Sequence, residues 1–299
     1  MSNIQLFKSQ VNQVEYLKNG FIKQPLLTEN QCVDILSKLL TLKPDDNYAP
    51  NRQGASNYHC TFLDTNEDYK RACNSLFKSY FNPIIDELFF DYQLWNANLY
   101  VKPPGEGKFE IHQNWTHTTN EKDTTFTIWC PLVATSIKNG TIALVKGSHK
   151  ITPDIATLDV PYYFHNIEQS LLDSFLEPIP CDAGEGIIFE DGIIHFSDIN
   201  LSNTPRYALQ ILVGPKKINP VYYYFDKNNP EKGFEVFEIN EDFFIKTNHL
   251  NFKNRPIRYK SLGFIPNSNK LVDEETFIKL LENGNKRRNE LYGYNKLPQ

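Results

Sequence analysis

Apolar residues recur at helical spacing in two early stretches of the chain. Over LTENQCVDILSKLL (27–40), Val33, Ile35, Leu36, Leu39 and Leu40 fall on one stripe, and Thr28 is placed to cap the first turn. NEDYKRACNSLFKSYFNPIIDELFF (66–90) repeats the pattern and carries Pro83, where a bend is expected. From about residue 93 the period shortens to short apolar or alternating runs, at 93–102, 108–115, 124–132, 140–147, 184–192, 193–197, 206–214, 221–225 and 234–239. Gly, Pro, Asn and Asp separate these runs, as turns require. A short helix is expected at 165–176, and VDEETFIKLLENGNKRRNELYGY (272–294) returns to helix with Asp273 near its start.

Many short strands at regular spacing predict a sandwich or barrel rather than a βαβ fold. The expected class is therefore mainly β with flanking α-helices. Its β-core covers about 93–240, with N-terminal helices from 27–90 and the C-terminal helix 272–294 packed around it. No repeat, low-complexity tract or linker divides residues 1–299, so one domain is expected.

Composition narrows the function classes. A net charge of −5 without a block of like charge gives no footprint for nucleic acid. No apolar run approaches the roughly 18 residues of a membrane span. The start lacks the pattern of a secretory signal. Cys32, Cys60, Cys73, Cys130 and Cys181 are spread out with no C-x-x-C pair. They read as reduced thiols, and together these features predict a soluble, globular cytoplasmic protein.

Chemistry concentrates in FEIHQNWTHTT (109–119). Side chains alternate along a strand, so His112 and Asn114 share a face and can grip one metal ion. His195, in DGIIHFSDIN, is the strongest candidate for a third ligand from a distant strand. Two histidines and a carboxylate on one face of an octahedron suit non-haem Fe(II) oxygenases. Arg206 opens a run with apolar neighbours, and an arginine entering a core needs an anionic partner. A carboxylate held bidentately, with Ser197 adding a hydroxyl, and a structural ion pair with Asp198 both meet that need.

The ordered motifs HQNW (112–115), TIWCPL (127–132), NGTIALVKGSHK (139–150), AGEGIIFEDGIIHFSDINLS (183–202) and RYALQ (206–210) resemble the phytanoyl-CoA dioxygenase family. Its members are Fe(II)- and 2-oxoglutarate-dependent oxygenases, and the likeness covers about residues 93 to 215. It implies a double-stranded β-helix, a jelly-roll or cupin-like barrel. It also implies that His112, Asn114 and His195 hold the metal and are the catalytic centre. Arg206 would pair with the far carboxylate of 2-oxoglutarate, with Ser197 assisting. Trp129 would lie near the cosubstrate, as would Asn98 or, alternatively, Asn96. The implied cofactors are Fe(II), the cosubstrate 2-oxoglutarate and O2, and the implied reaction hydroxylates or otherwise oxidises a small molecule. The implied substrate classes are too varied to choose among.

Asn114 departs from the family pattern, which has an aspartate there. An amide offers the metal a carbonyl dipole where a carboxylate offers a full charge. Four readings follow: an active enzyme with a neutral oxygen ligand; a natural or engineered inactive variant or binding module; a substitute acid ligand such as Glu110; or a halogenase. Halogenase relatives carry Gly or Ala at this position, and Asn114 would fill the space they leave. Elsewhere, His149 reads as structural, and His117 as lining the substrate mouth or lying on the surface. SNYHCTF (56–62), if extended, divides Asn57 and His59 from Tyr58 and Cys60. VYYYF (221–225) reads as sheet packing, and Lys102 and Lys108 as solvated lysines.

Overall fold

The computed structural model describes residues 4–49, 56–151 and 154–284. Elements follow in chain order: α1 (Gln10–Asn19), β1 (Phe21–Pro25), α2 (Glu29–Thr41), β2 (His59–Cys60), α3 (Glu67–Leu88), β3 (Tyr92–Lys102), β4 (Phe109–His112), β5 (Phe126–Pro131) and β6 (Ile142–Val145). Then come α4 (Glu168–Ser174), β7 (Leu176–Pro178), β8 (Glu185–Glu190), β9 (His195–Ser197), β10 (Arg206–Pro215), β11 (Val221–Phe225), β12 (Phe234–Glu238), α5 (Glu241–Lys246), β13 (Lys260–Ile265) and α6 (Glu274–Asn283).

Two antiparallel sheets make the double-stranded β-helix. The larger has the order β1-β8-β5-β10-β3-β2, the smaller β4-β9-β6-β7. Trp129, Ile142, Leu144, Ile187, Phe189 and Ala208 pack together between them, so both sheets contribute to one interior. The outer face of the larger sheet is apolar for a different reason. Leu99, Ile128, Leu209 and Ile211 point away from the barrel and pack against Ile35 and Leu39 of α2 and Phe77, Phe81 and Ile85 of α3. Alternation along β10 thus sends its odd-numbered side chains to the helices and leaves Arg206, Ala208, Gln210 and Leu212 for the interior. A third sheet, β11-β12-β13, lies outside these two.

The helices form where they were read, but the buried stripe of α2 is Cys32, Ile35 and Leu39, while Val33 and Leu40, expected on it, are exposed. Thr28 caps α2 in a reciprocal capping box with Gln31, and Asp273 caps α6 through the Thr276 N–H at 2.8 Å. α3 runs through Pro83 as one helix. The expected helix at 165–176 is a 3-10 turn, His165–Ile167, followed by α4. Of the expected C-terminal helix, 285–294 lie outside the described residues.

The 93–240 boundary for the β-core needs correction. β1 pairs with β8 and β2 with β3, and β13 joins β12, so strands from both flanks complete the sheets. α1 and α5 carried weak helical periodicity and are further elements beyond the expected set. Among the described residues, no helix is long and apolar enough to cross a membrane. All five cysteines are free and buried, and burial raises the Cys73 and Cys181 thiols to about 12.

Candidate active site

β4 and β9 are antiparallel neighbours, and His112 stands directly opposite His195. Their ring centroids are 4.0 Å apart. Each Nδ1 lies against a main-chain carbonyl two residues upstream, Glu110 for His112 (2.7 Å) and Ile193 for His195 (2.9 Å). A carbonyl only accepts, so Nδ1 carries the proton and Nε2 presents its lone pair. Burial lowers both pKa values, and the two rings reinforce this for His195, so both stay neutral at ordinary pH. Two neutral imidazoles with fixed tautomers and adjacent lone pairs are prepared to bind a cation.

Asn114 lies beyond the end of β4, so strand alternation alone does not place it. It is held by the turn between β8 and β9. Its main-chain N–H donates to the Asp191 carbonyl at 3.1 Å, and Gln113 Nε2 donates to the Gly192 carbonyl. Its side-chain Nδ2 donates to Thr127 Oγ1 (2.8 Å) and Asp191 Oδ1 (2.9 Å). Asp191 is buried; burial raises its pKa, while hydrogen bonds from Thr125, Thr127 and Asn114 pull it back. Neither Asp191 nor Thr127 stood out in the sequence, although the turn EDG before His195 was visible. Glu110 is no substitute ligand: it is exposed and paired with Lys108 at 3.0 Å.

Behind the histidines a chamber of about 60 Å³ is lined by both rings, Asn114, Trp129, Ser197 and Arg206. Arg206 is 2 % exposed, and its Nε and Nη1 have no hydrogen-bond partner among the described residues. Its guanidinium carbon lies 5.5 Å from the centre of the Trp129 ring, a cation–π distance. Burial alone drops its pKa to about 9, so it remains charged at neutral pH. The Asp198 ion pair weighed for it does not form among the described contacts.

Lys102, expected in solvent, is fully buried opposite Arg206 on β3. Its Nζ donates to the Ser197 carbonyl (2.9 Å), Ser197 Oγ (2.6 Å) and the Asp198 carbonyl (2.6 Å). Burial, then the charge of Arg206, lowers its pKa to about 6. Ser197 Oγ in turn donates to the Gly140 carbonyl at 2.8 Å, so its proton is engaged there rather than aimed at Arg206 or a ligand.

A second cavity of about 860 Å³ adjoins the chamber and shares Tyr100, Phe109, His112, Asn114, Thr127 and Gln210 with it. Asn98 and Asn96 line this outer cavity, and Asn98 touches Gln210, which lines both the cavity and the chamber. Asn98 Nδ2 donates to Gln210 Oε1 at 3.1 Å, and Tyr100 Oη donates to the same oxygen at 3.0 Å. Gln210 is the inward residue the sequence reading passed over.

Tyr58 stacks on Phe109 at 3.8 Å, so the Tyr58 and Cys60 face of 56–62 reaches the cavity. His59 points the other way, with Nδ1 on Asp46 and Nε2 2.8 Å from the Tyr69 hydroxyl. Asp46, His59 and Asp64 bring ligand-type atoms within 4.8 Å of one another, but both imidazole nitrogens are already engaged. His117 is buried at the cavity wall with Nδ1 on the Val221 carbonyl at 2.9 Å. His149 is fully buried beside Tyr16, 5.6 Å between rings, and packs under Gly20. VYYYF forms β11 of the outer sheet.

This donor set fits an iron and 2-oxoglutarate site. Two imidazole nitrogens and an amide oxygen suit a borderline divalent metal, and the orphaned buried guanidinium suits a carboxylate. Comparison with known proteins shows the family and the fold. The family model for phytanoyl-CoA dioxygenase (PhyH) matches residues 17–208. A probable alpha-ketoglutarate-dependent hypophosphite dioxygenase from Stutzerimonas stutzeri is 32% identical over 87 residues, 29% of this chain and 30% of that protein. The chain therefore matches less than a third of that relative's length. Among solved structures, the non-heme alpha ketoglutarate dependent carbocyclase SnoK from nogalamycin biosynthesis aligns with TM-score 0.54 at 15% identity, covering 72% of this chain and 86% of SnoK. HygX from Streptomyces hygroscopicus, with nickel and 2-oxoglutarate bound, aligns with TM-score 0.50 at 14% identity over 70% of this chain and 88% of HygX.

Proposed function

Because the chain belongs to the phytanoyl-CoA dioxygenase family, whose members are 2-oxoglutarate-dependent dioxygenases, we propose that it is an Fe(II)- and 2-oxoglutarate-dependent oxygenase with a working site despite Asn114. One observation carries this reading: two neutral histidines with inward lone pairs share a chamber with a buried guanidinium whose Nε and Nη1 have no hydrogen-bond partner among the described residues. His112, His195 and the Asn114 amide oxygen would hold the metal, and Arg206 the far carboxylate of the cosubstrate. When bound, iron and 2-oxoglutarate together activate O2, releasing succinate and carbon dioxide as an oxygen atom is used to oxidise a C–H bond.

The protein's own residues bind, orient and shield. Arg206 anchors one end of the cosubstrate at the depth of the barrel, and Trp129 fixes the guanidinium from one side. The stacked Tyr58 and Phe109 and the neighbouring Tyr100 wall the passage between chamber and outer cavity, limiting water at the reacting atoms.

The outer cavity indicates the substrate class. At about 860 Å³ it is far larger than hypophosphite requires, so that relative's substrate is not carried over. Its walls combine aromatic faces with the side-chain amides of Asn96, Asn98, Gln113 and Gln210. Among the described lining residues the one lysine, Lys108, is paired with Glu110, which leaves no free cation for a phosphate. Such walls suit an uncharged, ring-bearing molecule rich in hydroxyl or amide groups, and disfavour an acyl thioester of coenzyme A.

Anaerobic titration with Fe(II) and 2-oxoglutarate tests the site through its visible charge-transfer band. The reading requires a band that disappears in Arg206→Ala. A panel of neutral glycosides and polycyclic compounds against acyl-CoA esters, scored by succinate release, tests the substrate class. A band without succinate release from any compound supports a binding module instead.

A further inference from the structure

Asn114 and the turn behind it are tied together more closely than metal ligation requires. Four hydrogen bonds join them: Asn114 N–H to the Asp191 carbonyl (3.1 Å), Asn114 Nδ2 to Asp191 Oδ1 (2.9 Å), Asn114 Nδ2 to Thr127 Oγ1 (2.8 Å), and Thr127 Oγ1 to Asp191 Oδ1 (2.7 Å). A hydroxyl has one proton. Having given it to Asp191, Thr127 can only accept from Asn114. The directions are thereby set, and the amide nitrogen must face Asp191. Its oxygen is left for the chamber that Asn114 lines with His112 and His195. The other carboxylate oxygen, Asp191 Oδ2, is buried without a hydrogen-bond partner among the described residues.

Resting on the iron-site reading above, we propose that Asp191 is a positioning residue that lets asparagine serve where the family has a carboxylate ligand. It fixes the amide with oxygen toward the metal. By accepting from the NH2 group it also draws the amide toward its charge-separated resonance form, raising electron density on the ligand oxygen.

This makes Asn114→Asp a poor repair. It would place a second carboxylate within contact distance of Asp191, and two like charges so close force one to hold a proton. The roles invert in the double variant Asn114→Asp/Asp191→Asn, where an amide donates to a carboxylate ligand.

The test is Fe(II) and Co(II) affinity, measured anaerobically by competition with a chromophoric chelator and needing no turnover. Asp191→Asn, nearly isosteric, is expected to weaken binding about 10- to 100-fold. In the Asn114→Asp background the same change is expected to strengthen binding, a sign reversal that a merely structural role does not produce. If Asp191→Asn fails to fold, the comparison of Asn114→Asp with the double variant decides alone. Affinity unchanged within threefold by Asp191→Asn, or equal losses in both backgrounds, overturns the proposal. Metal binding that survives His112→Ala unaltered overturns the iron-site reading instead, a separable result, and this inference falls with it.

Discussion

Lys102 and Arg206 are direct cross-strand partners on β3 and β10, both buried, yet the first has three oxygen acceptors and the second, among the described residues, has no partner for Nε or Nη1. Two basic groups side by side in a barrel repel when both are charged, and the pKa of about 6 for Lys102 leaves Arg206 as the buried cation that calls for an anion at neutral pH. The asymmetry makes Arg206 the group proposed to take that anion.

Arg206→Met follows from this as a trade between stability and binding. Methionine keeps the apolar contact with Trp129 and removes an uncompensated buried charge. The ligand-free variant is expected to melt at or above the parent temperature, a gain of about 1 kcal/mol or more. Its 2-oxoglutarate affinity is expected to fall by two orders of magnitude or more, since breaking a buried charge pair costs roughly 3–5 kcal/mol. Differential scanning fluorimetry with and without 2-oxoglutarate reads both effects, and a 2-oxoglutarate-induced shift that persists in the variant contradicts the assignment.

Lys102→Met is expected to act more weakly. It removes a basic group that a bound carboxylate would draw back toward its charged form, and frees the Ser197 and Asp198 oxygens. A fall in 2-oxoglutarate affinity of several-fold is expected by calorimetry, smaller than that of Arg206→Met. An equal or larger loss means Lys102 itself is the main anion anchor.

Gly140 holds the same corner. It has φ +71°, and a Cβ there would lie 2.2 Å from the Asp198 carbonyl oxygen and 3.1 Å from Lys102 Nζ. Backbone atoms cannot rotate away, so Gly140→Ala should destabilise by about 2 kcal/mol or more. Chemical denaturation measures this, and a loss below about 0.5 kcal/mol shows that the 195–200 segment yields freely.

His117 sets a pH dependence. Burial lowers its folded-state pKa to about 4, against 6.5 for an ordinary imidazole. Between those values the unfolded chain binds a proton that the folded chain refuses. Stability therefore falls as pH drops below 6.5, at up to about 1.4 kcal/mol per pH unit. Urea titrations at pH 7 and 5 should differ by about 2 kcal/mol more in the parent than in His117→Gln. Equal differences place the acid sensitivity elsewhere.

Periodicity along the chain determined α2, α3, the capping of α6 and most strands of the core, because the apolar spacing of each is written locally, while β7 and β13 fall outside the runs it marks. The order of motifs determined the family, and with it the residues proposed as ligands. Elements whose pattern is weak, α1 and β1, were not legible, since they gain their stability from β8 and the helices they meet. Tertiary structure decided what pairs with what. The sequence reads Lys102 as a lysine near a turn; only the register of β3 against β10 shows it sealed beneath Arg206. Asn114 by itself reads as a defective ligand. Asp191, 77 residues later, lies one hydrogen bond away because the β8–β9 turn folds onto the end of β4. Spacing along a chain specifies which face a side chain takes on its own strand, but the partner across that face comes from another strand, and only folding brings the two together.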